Sequence, residues 1–168
     1  VVRWFCEIVG YGPGSGGILT SGGSLSNLTA LVTARRERLP EDFRSGTMYT
    51  SDQTHHSVRK SAVLAGFPET SVREIATNER QEMKIDALEA QIAEDRAAGL
   101  TPFLIVGSAG TTNTGAVDPF VDIADVAARE GMWLHVDGAY GGFFAMTERG
   151  QEAMSGIERA DSVTLDPH

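Results

Sequence analysis

A carboxylate at the end of an apolar run is the residue of this sequence best placed to do chemistry. Asp137 follows Met132-Trp133-Leu134-His135-Val136, a stretch of strand composition, so its side chain is expected to be partly buried. A buried carboxylate with no partner costs several kcal/mol. Something cationic or hydrogen-donating should therefore face it, and a protonated pyridine nitrogen would serve. The plainer reading is an aspartate that caps a helix or closes a turn. Just beyond it, Ala139 is small enough for a planar ring to lie against, and Gly141 and Gly142 permit close approach of another backbone.

Three further clusters carry polar chemistry at comparable places. Ser21-Gly22-Gly23-Ser24 stands directly before a helical pattern, where small residues leave backbone N–H groups open to an anion such as phosphate and Ser24 adds a hydroxyl. An ordinary serine cap with glycines in the turn is the alternative. His55 follows a strand pattern; it could lie flat against an aromatic ligand or move protons near neutral pH, or it could stand in solvent at a helix start. Adjacent His55 and His56 are expected to point different ways, which argues against a shared metal site. Thr111-Thr112-Asn113 forms a second polar loop. His135 reads as a strand residue packed in or near the core. Gly12-Pro13-Gly14-Ser15-Gly16-Gly17 fits the dinucleotide pattern G-x-G-x-x-G in letters only. That fingerprint needs a strand before it and a helix opening on its last glycine, whereas Ile18-Leu19-Thr20 reads as extended, so a flexible loop is expected.

The elements that must position these residues alternate between short apolar runs and helical periodicity. That alternation predicts an α/β fold with a mostly parallel sheet flanked by helices. Strands are expected over 47–51, 72–76, 102–106, 132–136 and 161–165. Helices are expected over 25–39, with Leu25, Leu28, Leu31, Val32 and Arg35 as its apolar stripe, and over 56–66. Asp86 with Glu89 resembles a capping box opening a helix to about residue 98. Asp118 with Pro119 should begin another, with Phe120, Ile123, Ala124 and Ala127 on one face and Gly131 at its end. Ligands of open α/β sheets bind beyond the carboxyl ends of the strands, where Asp137 is placed.

Composition narrows the function. The chain has 168 residues, 41% of them hydrophobic, and a net charge of −9, enough for one core and unsuited to nucleic acid or an anionic membrane surface. Its single cysteine, Cys6, excludes an internal disulfide, no Cys/His spacing suggests a metal site, and a cytoplasmic setting is expected. No apolar run approaches the roughly 20 residues that span a bilayer. A first residue of Val1 predicts that the sequence begins inside a longer chain.

The motifs together resemble the pyridoxal-phosphate-dependent group II amino-acid decarboxylases. The resemblance runs nearly end to end and is carried by Ile18-Leu19-Thr20-Ser21-Gly22-Gly23-Ser24, Ser51-Asp52-Gln53-Thr54-His55, Gly110-Thr111-Thr112, Leu134-His135-Val136-Asp137-Gly138-Ala139-Tyr140-Gly141-Gly142 and Ala160-Asp161-Ser162-Val163-Thr164-Leu165-Asp166-Pro167-His168. It implies that residues 1–168 form part of the large cofactor-binding domain of a fold-type I pyridoxal-phosphate enzyme, like that of aspartate aminotransferase. It further implies decarboxylation of an L-amino acid, aromatic by preference, to its amine and CO2, in a homodimer with its pockets at the subunit interface. Residue by residue it implies Gly23 and Ser24 at the phosphate, His55 on one face of the ring, Ala139 against the other, Thr112 at the ring substituents and Asp137 at the ring nitrogen. His168 would neighbour the phosphate, and the Schiff-base lysine would follow it immediately. Asp166 stands where many relatives have asparagine and Gly138 where they often have alanine. Another lyase using the same cofactor, or a non-catalytic α/β nucleotide-binding module, are the alternative readings.

Overall fold

A computed structural model of the protein describes residues 1–167. Five strands, β1 (Gly46–Ser51), β2 (Val72–Ile75), β3 (Thr101–Ser108), β4 (Trp133–Gly138) and β5 (Ser162–Leu165), pair in the order β2-β1-β3-β4-β5, every pair parallel. Six α-helices connect or precede them: α1 (Val2–Ile8), α2 (Gly23–Arg38), α3 (Ser57–Leu64), α4 (Ile85–Ala97), α5 (Phe120–Glu130) and α6 (Glu148–Ala153). The chain thus has the α/β class expected of it.

Strand alternation sorts the core into two layers. Met48, Leu104 and Val106 pack with Leu31 and Ala34 of α2 and Val58 and Ala62 of α3. Tyr49, Ile105, Leu134 and Val136 face the other way, onto Leu88 and Ile92 of α4 and Phe120 and Ile123 of α5. The period of two therefore puts His135 and Asp137, the residues between and after Leu134 and Val136, on the α2 side. Strand order reverses direction between β1 and β3, the place where open α/β sheets of this order take their ligands.

Several local expectations need correction. Ile18, Leu19 and Thr20 form no strand; they belong to an irregular segment with Ile18 and Leu19 exposed. The buried stripe of α2 is Asn27, Ala30, Leu31 and Ala34, and Leu25 is 44% exposed, so only Leu31 of the expected stripe lies fully inside. No capping box opens α4. Its N-cap is Lys84, because the Lys84 N–H bonds the Ala76 carbonyl at 3.1 Å and the Met83 N–H bonds Asp118 at 2.7 Å, which turns the chain two residues before Asp86. Glu89 instead pairs with Arg129 at 2.6 Å. Asp118 does not cap α5 either; it is buried between segments, and Pro119 is the N-cap. The buried face of α5 and its end at Gly131 are as expected. Helices α1 and α6 were not foreshadowed by their short, weakly periodic sequences.

A polar clamp ties α4 to the sheet. Asp95 accepts hydrogen bonds from Tyr49 Oη at 2.7 Å and from Arg73 Nη2 at 2.8 Å. Burial works to raise its carboxyl, but the Arg73 and Tyr49 hydrogen bonds outweigh it and hold Asp95 below the usual carboxylate range.

Candidate functional site

The first turn of α2 meets the strand ends at Gly22 and Gly23. Gly22, the N-cap, has φ +144°, a conformation side chains rarely adopt, and its carbonyl accepts the Leu25 and Ser26 N–H groups at 3.1 Å each. The Gly23 and Ser24 N–H groups precede this first intrahelical bond, at the positive end of a 16-residue helix. No serine side chain caps the helix, so the plain serine-cap reading does not hold. A Cβ built on Gly23 would lie 3.1 Å from that of Ala139, so the helix start rests against the residue that follows β4.

Asp137 sits inside the end of β4 and is 8% exposed. Its Oδ1 accepts the Ala139 N–H at 3.1 Å, a local turn contact, and its Oδ2 accepts Asn27 Nδ2 at 2.7 Å. Both donors are neutral, and no ion pair among the described residues includes Asp137. This is a buried carboxylate still lacking a cation, beside a helix terminus still open to an anion. A group carrying both a phosphate and a protonatable ring nitrogen would match the helix terminus and the carboxylate in charge, and the small side chain of Ala139 leaves room between them.

Asn27 is the functional candidate that sequence reasoning missed. Its Nδ2 also donates to Ser57 Oγ at 3.1 Å, and its Oδ1 accepts from Thr164 Oγ1 at 2.9 Å and lies 3.1 Å from His135 Nε2. The available signal was an asparagine at the head of the 27/30/31/34 period, facing two ionisable residues spaced by two on a strand. His135 is buried as expected, and burial lowers its pKa against the opposing pull of Asp137, so it is neutral.

His55 lies half-buried ahead of α3, and its Nδ1 meets Ser57 Oγ at 2.8 Å and the Ser57 N–H at 3.3 Å. Because a backbone N–H can only donate, Nδ1 accepts, and the neutral ring carries its proton on Nε2. The His56 ring centroid is 4.1 Å from that of His55, so the two rings meet where divergence was expected. Even so, no group of three or more His, Cys, Asp or Glu among the described residues could hold a metal ion.

The loop after β3 is fastened from below. Asp118 accepts the Ser108 N–H at 2.8 Å as well as that of Met83, and Ala109 bridges Val117. Burial raises the Asp118 carboxyl to about 6 despite those two hydrogen bonds. Thr111 is buried and bonded to Thr114 at 2.5 Å, whereas Thr112 is exposed at the loop's turn. Gly141 comes so near Ala109 that a Cβ there would strike its carbonyl oxygen. Asp166 follows β5, half-buried, and His168 lies outside the described residues. A groove of about 920 Å³ beside this corner, between α1, α2 and β5, has Gly22, Gly23, Thr164 and Asp166 in its wall; Asp137 and His55 lie beyond it. The structure thus joins Gly23, Ala139, Asp137 and His55 through direct packing and the Asn27 amide, and puts Thr112 and Asp166 on the same strand-end edge.

A five-stranded parallel sheet flanked by helices, like that of the solved decarboxylases it superposes on, places the chain in the fold-type I pyridoxal-phosphate class. The chain belongs to the family described as the pyridoxal-dependent decarboxylase conserved domain, whose sequence model matches residues 1–168. It is 42% identical over 167 residues to aromatic-L-amino-acid decarboxylase of Bacillus atrophaeus, covering 99% of this chain and 35% of that protein. It is 40% identical over 175 residues to cysteine sulfinic acid decarboxylase of Homo sapiens, covering 100% of this chain and 35% of that protein. The crystal structure of mouse CSAD in apo form superposes with a TM-score of 0.94 at 37% identity, covering 99% of this chain and 36% of that one. The chain therefore spans about a third of the length of the curated relatives it matches.

Proposed function

We propose that these residues form part of the large cofactor-binding domain of an enzyme that decarboxylates an L-amino acid to its amine. The observation that carries the proposal is Asp137, a buried carboxylate held by neutral donors alone beside the open N-terminus of α2. When bound, pyridoxal phosphate supplies an electron sink for the pair left behind as CO2 departs.

In this reading Gly23 and Ser24 hold the phosphate with backbone N–H groups and the serine hydroxyl. Ala139 bounds one face of the ring and His55 stacks on the other, its free Nε2–H directed by Ser57. Asp137 keeps a proton on the ring nitrogen, which deepens the sink, and the low local dielectric strengthens that pair. Thr112 contacts the ring substituents from the loop that Asp118 fastens. Asp166, just after the end of β5, is assigned to the surroundings of the cofactor.

An aromatic amino acid is the substrate we put first, supported by the identity to the Bacillus atrophaeus relative. We also propose a cytoplasmic homodimer with its active sites at the subunit interface, supported by Tyr140 and Phe144, large apolar side chains left exposed next to Ala139 and Gly141. No helix among the described residues is long and apolar enough to cross a membrane. Release of CO2 and amine from a panel that sets aromatic amino acids against cysteine sulfinate tests the activity; no CO2 from any of them removes the proposal. In the full-length protein a visible absorption band abolished by borohydride tests the cofactor, and a colourless full-length protein after incubation with pyridoxal phosphate favours a non-catalytic module.

A further inference from the structure

We propose that Asn27 is a positioning residue, whose amide is locked from β4 and β5 so that one side chain fixes both Asp137 and the Ser57–His55 pair. The inference rests on the cofactor site proposed above and assigns what sets its geometry.

The argument begins with the orientation of the amide. At 2.7 Å from Asp137 Oδ2, the Asn27 atom must be a donor, because an oxygen there would face a carboxylate oxygen with no proton between them. Nδ2 is thus fixed by Asp137, and its second hydrogen goes to Ser57 Oγ at 3.1 Å. Oδ1 is then left on the other side, where Thr164 Oγ1 donates at 2.9 Å and His135 Nε2 stands at 3.1 Å. For that last contact to bond, His135 must carry its proton on Nε2. Its Nδ1 is then bare and accepts from Ser162 Oγ at 2.9 Å, whose oxygen in turn accepts the Trp133 indole N–H at 2.9 Å; the Ser162 carbonyl oxygen, 3.2 Å from the same nitrogen, is the acceptor that a proton on Nδ1 would engage instead. Every donor and acceptor of Asn27 is used, and no buried side-chain polar atom among the described residues lacks a partner.

With His135 in that tautomer, a chain of bonds with one consistent direction runs from Trp133 through Ser162 and His135 to Asn27, then divides to Asp137 and, through Ser57, to His55. The titratable groups around Asn27 are Asp137 and His135 of β4 and, one hydroxyl away, His55; Thr164 and Ser162 of β5 are neutral. Two groups of the proposed site on different elements, the acid at the end of β4 and the imidazole after β1, are set by one amide from α2. Thr164 and His135 hold the Oδ1 side of that amide as Asp137 and Ser57 hold its Nδ2 side.

Two measurements test this. In the holoenzyme, nitrogen-15 NMR of histidine, with the His135 signal assigned by its loss in His135→Gln, should show a protonated Nε2 and a bare Nδ1. A protonated Nδ1 on His135 overturns the proposal, since Oδ1 of Asn27 would then have no histidine donor. The second uses Asn27→Asp, which keeps the shape and replaces the donor by a second carboxyl. With a proton on the new acid the bond to Asp137 can form; without it two carboxylates face each other. The variant should lose pyridoxal phosphate about tenfold or more faster than the parent at high pH and approach the parent as pH falls. Asn27→Asp retaining the cofactor like the parent at every pH overturns the positioning role while leaving the cofactor site standing. Failure of the parent itself to bind pyridoxal phosphate removes that site and this inference with it, whereas the His135 proton is read without reference to binding.

Discussion

Asp137 sits in the interior on two neutral N–H groups, with no ion pair to it among the described residues. Coulomb attraction grows as the effective dielectric falls, and a ring nitrogen brought to this carboxylate is held protonated more firmly than at a wet surface. Asp137→Ala should lower kcat by about a hundredfold or more, the scale of losing a preorganised charge in an active site. Cofactor retention should suffer less, because in the proposed site Gly23, Ser24, Ala139 and His55 would still hold the other parts of the molecule. Measuring kcat and cofactor dissociation separately checks this, and decarboxylation at the parent rate removes the assigned role. Asp137, Gly23 and Ala139 could be singled out in the sequence because each stands at a strand or helix end, although a turn aspartate and a plain serine cap were open alternatives there. Asn27 could not be, because an asparagine inside a helix gives no local sign of whether it faces water or a buried acid; only the strand register, with Asp137 opposite Thr164, brings its four partners together.

At the scale of elements, α2 shows how a periodicity can be right and its phase wrong. Leu25 and Leu28 drew the stripe to themselves, but the face that packs is set by small Ala30 and Ala34, which let the helix lie close on the sheet. The strands were easier, since continuous apolar runs admit only the doubly covered position in a parallel sheet. Asp118 and Asp86 misled for one reason: an aspartate near a helix start looks like a cap, and which one is engaged depends on tertiary bonds that no local pattern contains. Buried Asp118 fastens the β3 loop to the segment before α4, and its pKa, raised from 3.8 to about 6, makes a pH prediction. Between those values the folded state binds more protons than the unfolded one, so stability falls as pH rises from about 4 to about 6. The Asp118 contribution is full below 3.8 and lost on passing the folded value. At 1.36 kcal/mol per pKa unit the loss is on the order of 3 kcal/mol at most. Asp118→Asn should remove that downward slope, seen as a flatter profile of denaturation midpoint against pH across the window, while costing stability at the acid end because an amide N–H meets a backbone N–H. An unchanged slope would mean that Asp118 does not titrate there.

The whole molecule is a sheet covered on both faces, and only one cover carries the site. Leu104 and Ile105 are neighbours on β3, both fully buried, yet they look in opposite directions. Leu104 packs in the layer beneath α2 and α3, the helices that bring Gly23, Asn27 and Ser57 to the strand ends. Ile105 packs beneath α4 and α5, which supply no residue to the proposed site. Truncating either to alanine removes the same number of carbon atoms and leaves a cavity, so each should destabilise the fold by about 2–5 kcal/mol. Their effects on the cofactor should part. Packing in a close-packed interior transmits displacement to what rests on it, and a cavity under α2 lets the helix settle away from Asp137 and Ala139, whereas one under α4 leaves that corner in place. Leu104→Ala is therefore expected to release pyridoxal phosphate faster than Ile105→Ala under conditions where both are folded. Denaturation midpoints establish the matched stability loss and cofactor dissociation rates give the difference. Equal dissociation rates at equal stability loss would show that the two layers answer as one body, and that α2 is held at the strand ends by its buried amide network whatever lies beneath it.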